Sequence, residues 1–230
     1  MRLREVLTTW SDYLCMATRL GMDTDDEIIY RVRKLRQRHD ELVQRCNNQK
    51  DLYIRAGEIL KTYPHVEENC RHVKDKFEYG DERYTVIVPT RIEDVIREGR
   101  NLHHCVDNDK YWDRMEHKES YVLFLRRTSE ADKPHYTLEV EPGGTIRQVR
   151  TKFDRQEEDL GDAMDFLRCW QEVIAKRLTD KDRDLAKRSE MLRIQDLAKL
   201  REQKVLIRGG ELAGKLLADV LSKDLLVNAA

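Results

Sequence analysis

Residues 121–150, YVLFLRRTSEADKPHYTLEVEPGGTIRQVR, carry the clearest strand and turn signals in the chain. Tyr121–Arg126 is a continuous run of β-forming side chains, and His135–Val140 alternates between polar and apolar residues. A Pro-Gly-Gly turn signal at 142–144 separates this second run from a third, Thr145–Arg150. The second and third runs are therefore predicted to pair as a hairpin in an antiparallel sheet.

One more strand and a helix are predicted upstream of this stretch. Tyr84–Val88 is rich in β-branched residues and stops at Pro89. Thr90 is predicted to cap a helix over Arg91–Glu98, and Gly99 is predicted to end it. The fold class that follows is α+β, with a small antiparallel sheet of about four strands flanked by N- and C-terminal helical regions.

Apolar residues at helical spacing dominate both ends of the chain. Residues 1–79 are predicted to form an N-terminal helical region that includes separate helices over Asp26–Asn47 and Leu52–Lys61. Residues 80–155 form the predicted sheet core. Residues 156–230 form a predicted C-terminal helical region, in which a Gly-Gly break precedes a last amphipathic helix.

The composition is that of a folded chain with many solvated helices. Of the 230 residues, 40% are hydrophobic, enough for a core, and 38% are charged. The net charge is only −1, so the chain as a whole does not attract nucleic acid, and binding would need a local basic face. The most basic stretch of the chain is residues 31–39, which could form such a face. Acidic residues lie close to it in sequence, so an ordinary solvated helix is the competing interpretation. The candidate nucleic-acid-binding residues in it are Arg31, Arg33, Lys34, Arg36 and Arg38.

Cysteine usage and hydropathy indicate the compartment. The five cysteines are scattered, and the first ten residues, MRLREVLTTW, lack the apolar segment of a secretory leader. These observations predict reduced thiols in a cytoplasmic protein. No apolar run reaches the roughly 20 residues that span a bilayer, so no membrane contact is predicted. Nucleotide-binding fingerprints and zinc-ligand spacings are absent, so no cofactor and no metal is predicted.

Polar side chains cluster on the predicted strands. Thr137 and Glu139 lie two residues apart and so share one side of the sheet, as do Gln148 and Arg150. If His104 lies above that side, the five side chains form a polar cleft suited to general acid–base chemistry and to phosphate stabilisation. The candidate catalytic residues are His104, Cys105, Arg126, Glu139, Gln148 and Arg150.

A purely structural alternative accounts for the same residues. The strand residues can line a solvated sheet face, with Arg126 and Glu139 as a cross-strand ion pair. Cys105 can pack as a small hydrophobic residue beside a hydrogen-bonded histidine. The sequence alone leaves both interpretations open.

Five sequence elements, taken in order, carry a resemblance to a known family. They are LHHCV at 102–106, a Tyr-Trp pair at 111–112, a strand with Arg126, a Thr-x-Glu strand at 137–139 and an Ile-Arg-Gln strand at 146–148. The set resembles the PcfJ-like family, named for a conjugative-plasmid protein. Where many members carry a Gly- and Asn-containing turn after the last strand, this chain has RTKFDR at 150–155. The resemblance implies conjugation, phage or other mobile-element biology, with nucleic acid or a conjugation or phage protein as the partner, and it supplies no established reaction.

The leading functional hypothesis is a metal-independent, RNase-like enzyme. His104 would be its general acid or base. Arg126 and Arg150 would stabilise the charge that develops on the phosphorane, and Glu139 would orient or complement the histidine. The outline is similar to that of barnase- and RelE-like ribonucleases, an analogy at the level of the fold.

Two other hypotheses come from different classes of protein. In the first, the sheet is a non-catalytic adaptor whose charged helices, within 26–47 and 182–220, dock a partner protein. In the second, Cys105 is the nucleophile of a thiol enzyme. The oligomeric state is left open, because amphipathic terminal helices can pack within one chain or between two.

Overall fold

A computed structural model describes residues 3–155, 157–207 and 213–228, and they form an α+β protein, which confirms the predicted fold class. The helices are α1 (Leu3–Arg19), α2 (Glu27–Tyr30), α3 (Leu35–Thr62), α4 (Val66–Phe77), α5 (Ile92–Leu102), α6 (Asp109–Glu116), α7 (Leu160–Ala175), α8 (Asp180–Glu202) and α9 (Leu217–Asp224). The strands are β1 (Tyr79–Gly80), β2 (Tyr84–Ile87), β3 (Tyr121–Arg127), β4 (Tyr136–Val140) and β5 (Ile146–Arg150). The chain divides into two compact units, residues 1–57 and 58–230.

The sheet lies in the second unit and is an open antiparallel meander in the order β1-β2-β3-β4-β5. Strands β2 to β5 are the four that the sequence predicts. The additional strand, β1, has only two residues, with Tyr79 paired to Val86 and Gly80 paired to Thr85. Two residues are too few to show an alternating pattern, which is why the sequence indicates about four strands.

One face of the sheet is apolar and packs against α7. Alternation along the strands places Tyr84 and Tyr136 on this face, where both are buried. The ring of Phe166, from α7, lies 5.6 Å from the ring of Tyr84 between centroids. Trp170, on the same helix, is buried, and its Nε1 donates a 2.7 Å hydrogen bond to the carbonyl of Phe77. The polar strand residues therefore lie on the opposite face.

A bulge in the β4–β5 hairpin adds an arginine to that polar face. Glu139 pairs with Gln148, but Val140 pairs with Ile146, so the strand register shifts by one residue. The extra residue is Arg147, whose Nη1 lies 3.5 Å from Glu139 Oε1. The predicted hairpin is confirmed, and the bulge concentrates buried charge beside it.

The first unit has a small core of its own. Tyr13 and Ala17 of α1 are buried together with Leu42 of α3. The Asp26 carboxylate caps α2 by accepting a 2.8 Å hydrogen bond from the backbone N–H of Ile28. At the other end of α2, the backbone N–H of Arg31 donates to the carbonyl of Glu27. Local contacts therefore set both ends of this short helix, and none of its residues is buried.

Two helix boundaries predicted for the N-terminal region are wrong. The predicted helix Asp26–Asn47 is α2 followed by a break, and α3 begins only at Leu35. The break includes Lys34, whose φ of 56° is a left-handed conformation through which a right-handed helix does not continue. From there α3 runs unbroken to Thr62, so the separately predicted Leu52–Lys61 is part of it.

The start of α5 is set by a tertiary contact. Thr90, the predicted cap, does not precede the first helical residue, and the N-cap position is Arg91 without a side-chain hydrogen bond. The backbone N–H of Ile92 instead donates to Glu67 Oε1, from α4, at 3.2 Å. A glutamate 25 residues upstream caps the helix, and no local pattern shows this.

The end of α5 also lies beyond its prediction. Gly99 is helical, and the helix continues to Leu102 before His103 adopts a left-handed φ of 53°. A Cβ at Gly99 would lie 3.0 Å from Val106 Cγ1 and 3.2 Å from the carbonyl oxygen of His104. This glycine therefore allows the loop after α5 to pack closely against the helix.

The C-terminal region carries α8 and α9 as predicted in outline. Thr179 and Asp182 form a capping box at the start of α8. The predicted Gly-Gly break, residues 209–210, lies outside the described residues, as does Leu212, the first apolar residue of the predicted last helix. None of the described helices is both long enough and apolar enough to cross a bilayer.

Candidate functional site

An open cleft lies between the loop after α5 and the polar face of β4 and β5. It contains about 320 Å³ of empty space, part of it open to solvent. Thr137 also lines it, and Arg126 does not. The predicted catalytic residues that line it are His104, Cys105, Glu139, Gln148 and Arg150.

His104 is held by a chain of hydrogen bonds that ends in a buried carboxylate. Its Nε2 lies 2.9 Å from Thr137 Oγ1, and the Thr137 hydroxyl donates to Glu98 Oε1 at 3.3 Å. Because the hydroxyl has a single proton and gives it to Glu98, His104 Nε2 is the donor in the first contact. The strand and α5 together therefore fix both the position and the tautomer of the imidazole.

Arg126 lies behind the cleft, in a buried ion pair with Glu98. Its two terminal nitrogens lie 2.8 Å and 2.5 Å from the two Glu98 oxygens, and both side chains are buried. The expected cross-strand pair of Arg126 with Glu139 is wrong, because the register places Arg126 opposite Thr85 and Glu139 opposite Val122. Arg126 supports the carboxylate that holds Thr137.

Glu139 is buried and surrounded by donors. Its Oε1 accepts hydrogen bonds of 2.7 Å from Arg114 and 2.7 Å from Ser120, and its Oε2 accepts one of 3.1 Å from Gln148. A carboxylate that accepts this many hydrogen bonds is fixed in place, and it holds the Gln148 amide at the cleft. Arg147 adds a more distant contact from the bulge.

Arg150 and Cys105 lie at the edge of the cleft. The Arg150 guanidinium is ion-paired with Asp224 of α9 and still lines the cleft. Cys105 is exposed, and none of the five cysteines is in a disulfide bond. Within the described parts of the chain, no group of three or more His, Cys, Asp and Glu side chains could hold a metal ion.

Sequence reasoning missed the partners that hold the cleft together. Glu98 lies on the buried stripe of α5, three residues after Val95, and an acid on an apolar stripe is the signal that could have identified it. Arg114 of α6 and Asp224 of α9 carry no comparable signal, because each contacts the sheet from a distant part of the chain. Arg114 and Asp224 neutralise the charges of Glu139 and Arg150, which line the cleft, and Glu98 neutralises Arg126 behind it.

The predicted nucleic-acid-binding stretch lies in the first unit, and its five basic side chains are exposed. It spans the break before α3 and the first turn of that helix. Arg31 and Arg38 are paired with nearby glutamates. The side chains without an acidic partner among the described residues are Arg33, Lys34 and Arg36.

A second polar cluster surrounds Asp159, at the start of α7. The carboxylate accepts hydrogen bonds from Tyr84 (3.1 Å), Tyr136 (3.0 Å), His135 Nε2 (2.9 Å) and Arg127 Nη2 (2.8 Å). Burial raises the pKa of this carboxyl, but the hydrogen bond from Arg127 and the other donors outweigh it and lower the pKa to about 2. The ionised carboxylate therefore ties β2, β3 and β4 to α7.

The Asp159 cluster gives the fold an acid-sensitive connection. The folded pKa of about 2 lies below the ordinary 3.8, so the stabilisation is present above 3.8 and is lost as the pH falls toward 2. Urea unfolding of wild type and Asp159→Asn is expected to show a stability gap that is largest at neutral pH and closes over this range. Asp162→Asn, an exposed position on the same helix, should show no such change. A gap that does not vary with pH would contradict the assignment.

Comparisons with known proteins give a family and one distant relative. The sequence model of the PcfJ-like protein family matches residues 9–164, well over half of the chain. A protein of Listeria innocua named "Uncharacterized protein Lin1253/Lin1744" is 30% identical over 141 residues, which is 61% of this chain. The aligned region covers 29% of that relative's length. No solved structure matches the chain.

Proposed function

The chain belongs to the PcfJ-like protein family, and from this premise we propose that it acts on nucleic acid as a metal-independent, RNase-like enzyme. The observation that carries the proposal is the cleft, in which His104 lies with Gln148 and Arg150 and is hydrogen-bonded to Thr137. An imidazole that can take a proton, together with a guanidinium and an amide that donate hydrogen bonds, is a set suited to phosphodiester cleavage without a metal.

The proposed reaction uses the neighbouring hydroxyl of the RNA. His104 takes the proton of the 2′-hydroxyl while that oxygen attacks phosphorus, and the bond from phosphorus to the 5′-oxygen breaks. The 5′-oxygen leaves with a proton from solvent, and the product carries a 2′,3′-cyclic phosphate. Arg150 and the Gln148 amide stabilise the phosphorane oxygens as negative charge develops on them.

Glu98, Glu139 and Arg126 have positioning roles in this scheme. Glu98 holds Thr137, which in turn holds His104, and the imidazolium formed in the reaction is stabilised through this chain. Glu139 holds Gln148, and Arg126 neutralises Glu98. The structure thus supports a division between groups that face the substrate and groups that fix them.

A cleavage assay in excess chelator tests the proposal. Wild-type protein is expected to cut single-stranded RNA and to leave 2′,3′-cyclic phosphate and 5′-hydroxyl ends, since the attacking group is the 2′-hydroxyl. RNA with 2′-deoxy substitution at the cleaved positions should stay intact. Cleavage that occurs only with added Mg²⁺, or ends with a 5′-phosphate, would contradict the mechanism.

The wider setting is part of the same proposal. We assign the activity to the sheet core, residues 80–155, flanked by the helical regions 1–79 and 156–230. The exposed cations Arg33, Lys34 and Arg36 would hold the nucleic-acid backbone. The protein would work in the cytoplasm, in conjugation, phage or other mobile-element biology.

A non-catalytic adaptor is the second candidate, and the surface of α8 favours it. Met191 and Ile194 lie three residues apart on this helix and are 57% and 55% exposed. A conjugation or phage protein docked there would cover them. Capture of such a partner that is lost in Met191→Asp and retained in His104→Ala would support the adaptor over the enzyme.

A further inference from the structure

An exposed aromatic ring in a strained backbone conformation lies three residues after Arg150, which lines the cleft. Phe153 has a φ of 58°, which is rare for a bulky side chain, and its side chain is 56% exposed. Its ring stacks on the ring of His103, with centroids 5.1 Å apart and planes within 12°. His103 also has a left-handed φ, of 53°. Two strained residues thus present one flat, stacked surface to solvent.

The turn that carries Phe153 is anchored at both ends. The backbone N–H of Thr151 donates to the carbonyl of Arg155 at 3.0 Å, and the N–H of Arg155 donates to the carbonyl of Lys152 at 3.3 Å. Thr151 itself is buried. The backbone hydrogen bonds and the buried threonine hold the turn in place. The turn therefore does not need the exposed Phe153 ring for its stability.

The same turn joins this stacked pair to the cleft. Arg150 lines the cleft, and Phe153 follows it by three residues, while His103 directly precedes His104. Both members of the stacked pair are therefore neighbours in sequence of a residue at the proposed site of cleavage. The chain connections thus link each ring of the pair to a residue that lines the cleft.

The positive and negative charges around the Phe153 ring are equal in number. Base stacking, rather than ion pairing, would therefore set the affinity of this surface for RNA. The open pocket beside Phe153 contains about 1080 Å³ of empty space and is lined by three cations and three carboxylates. The Asp159 carboxylate is paired with Arg127. Lys152 Nζ lies 5.5 Å from the centroid of the Phe153 ring, as a cation over the ring face.

We propose that the stacked Phe153–His103 pair is a platform on which one base of a single-stranded RNA stacks, beside the nucleotide held in the His104 cleft. The choice of RNA as ligand rests on the proposed function. Aromatic rings accept any base, so the platform would add affinity without a strong preference for sequence.

Binding in an inactive background tests the platform apart from the reaction. A fluorescent oligouridine of single-stranded RNA is titrated against His104→Ala protein with and without Phe153→Leu. The leucine keeps the apolar character and the strained backbone but removes the ring, and binding is expected to weaken about tenfold, the loss of one base–aromatic stack. Tyr53→Leu, at an aromatic residue of α3 that is 55% exposed, should leave binding unchanged.

Phe153→Gly separates a binding role from a structural one. Glycine adopts a φ of 58° without strain, so this variant should unfold at a temperature equal to or above that of the parent protein while binding RNA as weakly as Phe153→Leu. A lower unfolding temperature together with unchanged RNA binding would show that the ring serves the fold, and would overturn the platform.

The outcomes also separate the platform from the proposed enzyme. Ring-dependent RNA binding by a protein that never cleaves RNA would leave the platform standing and remove the enzyme. Cleavage by wild type with equal RNA binding by Phe153→Leu would leave the enzyme and overturn the platform. Duplex RNA, whose base faces are covered, should bind without dependence on Phe153, and an equal dependence would overturn base stacking. Saturable binding of an aromatic peptide in place of RNA would overturn it as well.

Discussion

His104→Ala is expected to lower kcat/KM for RNA cleavage by about 10²–10⁴-fold, the usual contribution of a positioned general acid or base. The methyl group cannot take the proton of the 2′-hydroxyl, while Arg150 and Gln148 still line the cleft. The fold should persist, because the side chain is only partly buried. Initial rates in excess chelator measure the loss, and circular dichroism checks the fold.

His72→Ala is the matched control for this loss. His72 is an exposed histidine on α4, and among the described residues its side chain has no partner. Its replacement should leave the rate unchanged. Thr137→Val, which removes the hydroxyl that accepts from His104 Nε2, should lower the rate less than His104→Ala and shift the pH profile. Equal rates in wild type and His104→Ala would remove the catalytic assignment.

Glu98→Ala is expected to reduce the free energy of unfolding by about 3–5 kcal/mol, because it leaves Arg126 as a buried charge without its partner. Both side chains are almost fully buried, and the pair is bidentate. The Thr137 hydroxyl loses its acceptor in the same variant. Urea unfolding monitored by tryptophan fluorescence gives the difference.

Arg97→Ala and a double variant complete this test. Arg97 is on the same helix in an exposed ion pair with Asp94, so its loss should cost at most about 0.5 kcal/mol. Glu98→Leu combined with Arg126→Met should recover much of the stability, because an apolar pair of similar volume carries no charge to desolvate. A Glu98→Ala protein as stable as Arg97→Ala would show that the pair is not buried as described.

The fold is largely predictable from local patterns in this chain. The runs at 121–126, 135–140 and 145–150, the last two separated by the turn at 142–144, predict three of the five described strands by themselves. The predictions that are wrong concern the ends of helices, where contacts with residues distant in sequence determine the boundary. Glu67 caps α5 from another helix, and a close loop contact explains Gly99 inside it. Such contacts have no local signature.

The candidate site is predictable in its strand residues and not in its partners. A spacing of two places Thr137 with Glu139 on one face, and the structure adds His104 to the same cleft. The sequence could not show which acid pairs with Arg126, since that depends on the strand register and on how α5 lies over the sheet. The left-handed backbone conformation of Phe153 could not be predicted either, because no sequence pattern indicates a positive φ at a phenylalanine.

The most direct test of the central claim is to observe the His104 imidazole while a substrate analogue binds. The ring signals of the seven histidines are recorded by NMR and assigned with His104→Ala and His72→Ala. An RNA dinucleotide with a 2′-deoxy group at the attacking position, which cannot be cleaved, is then titrated in. We expect saturable shifts of the His104 signals, while those of His72 and His117 stay in place. Signals of His104 that do not move at concentrations that saturate the protein would contradict the central claim.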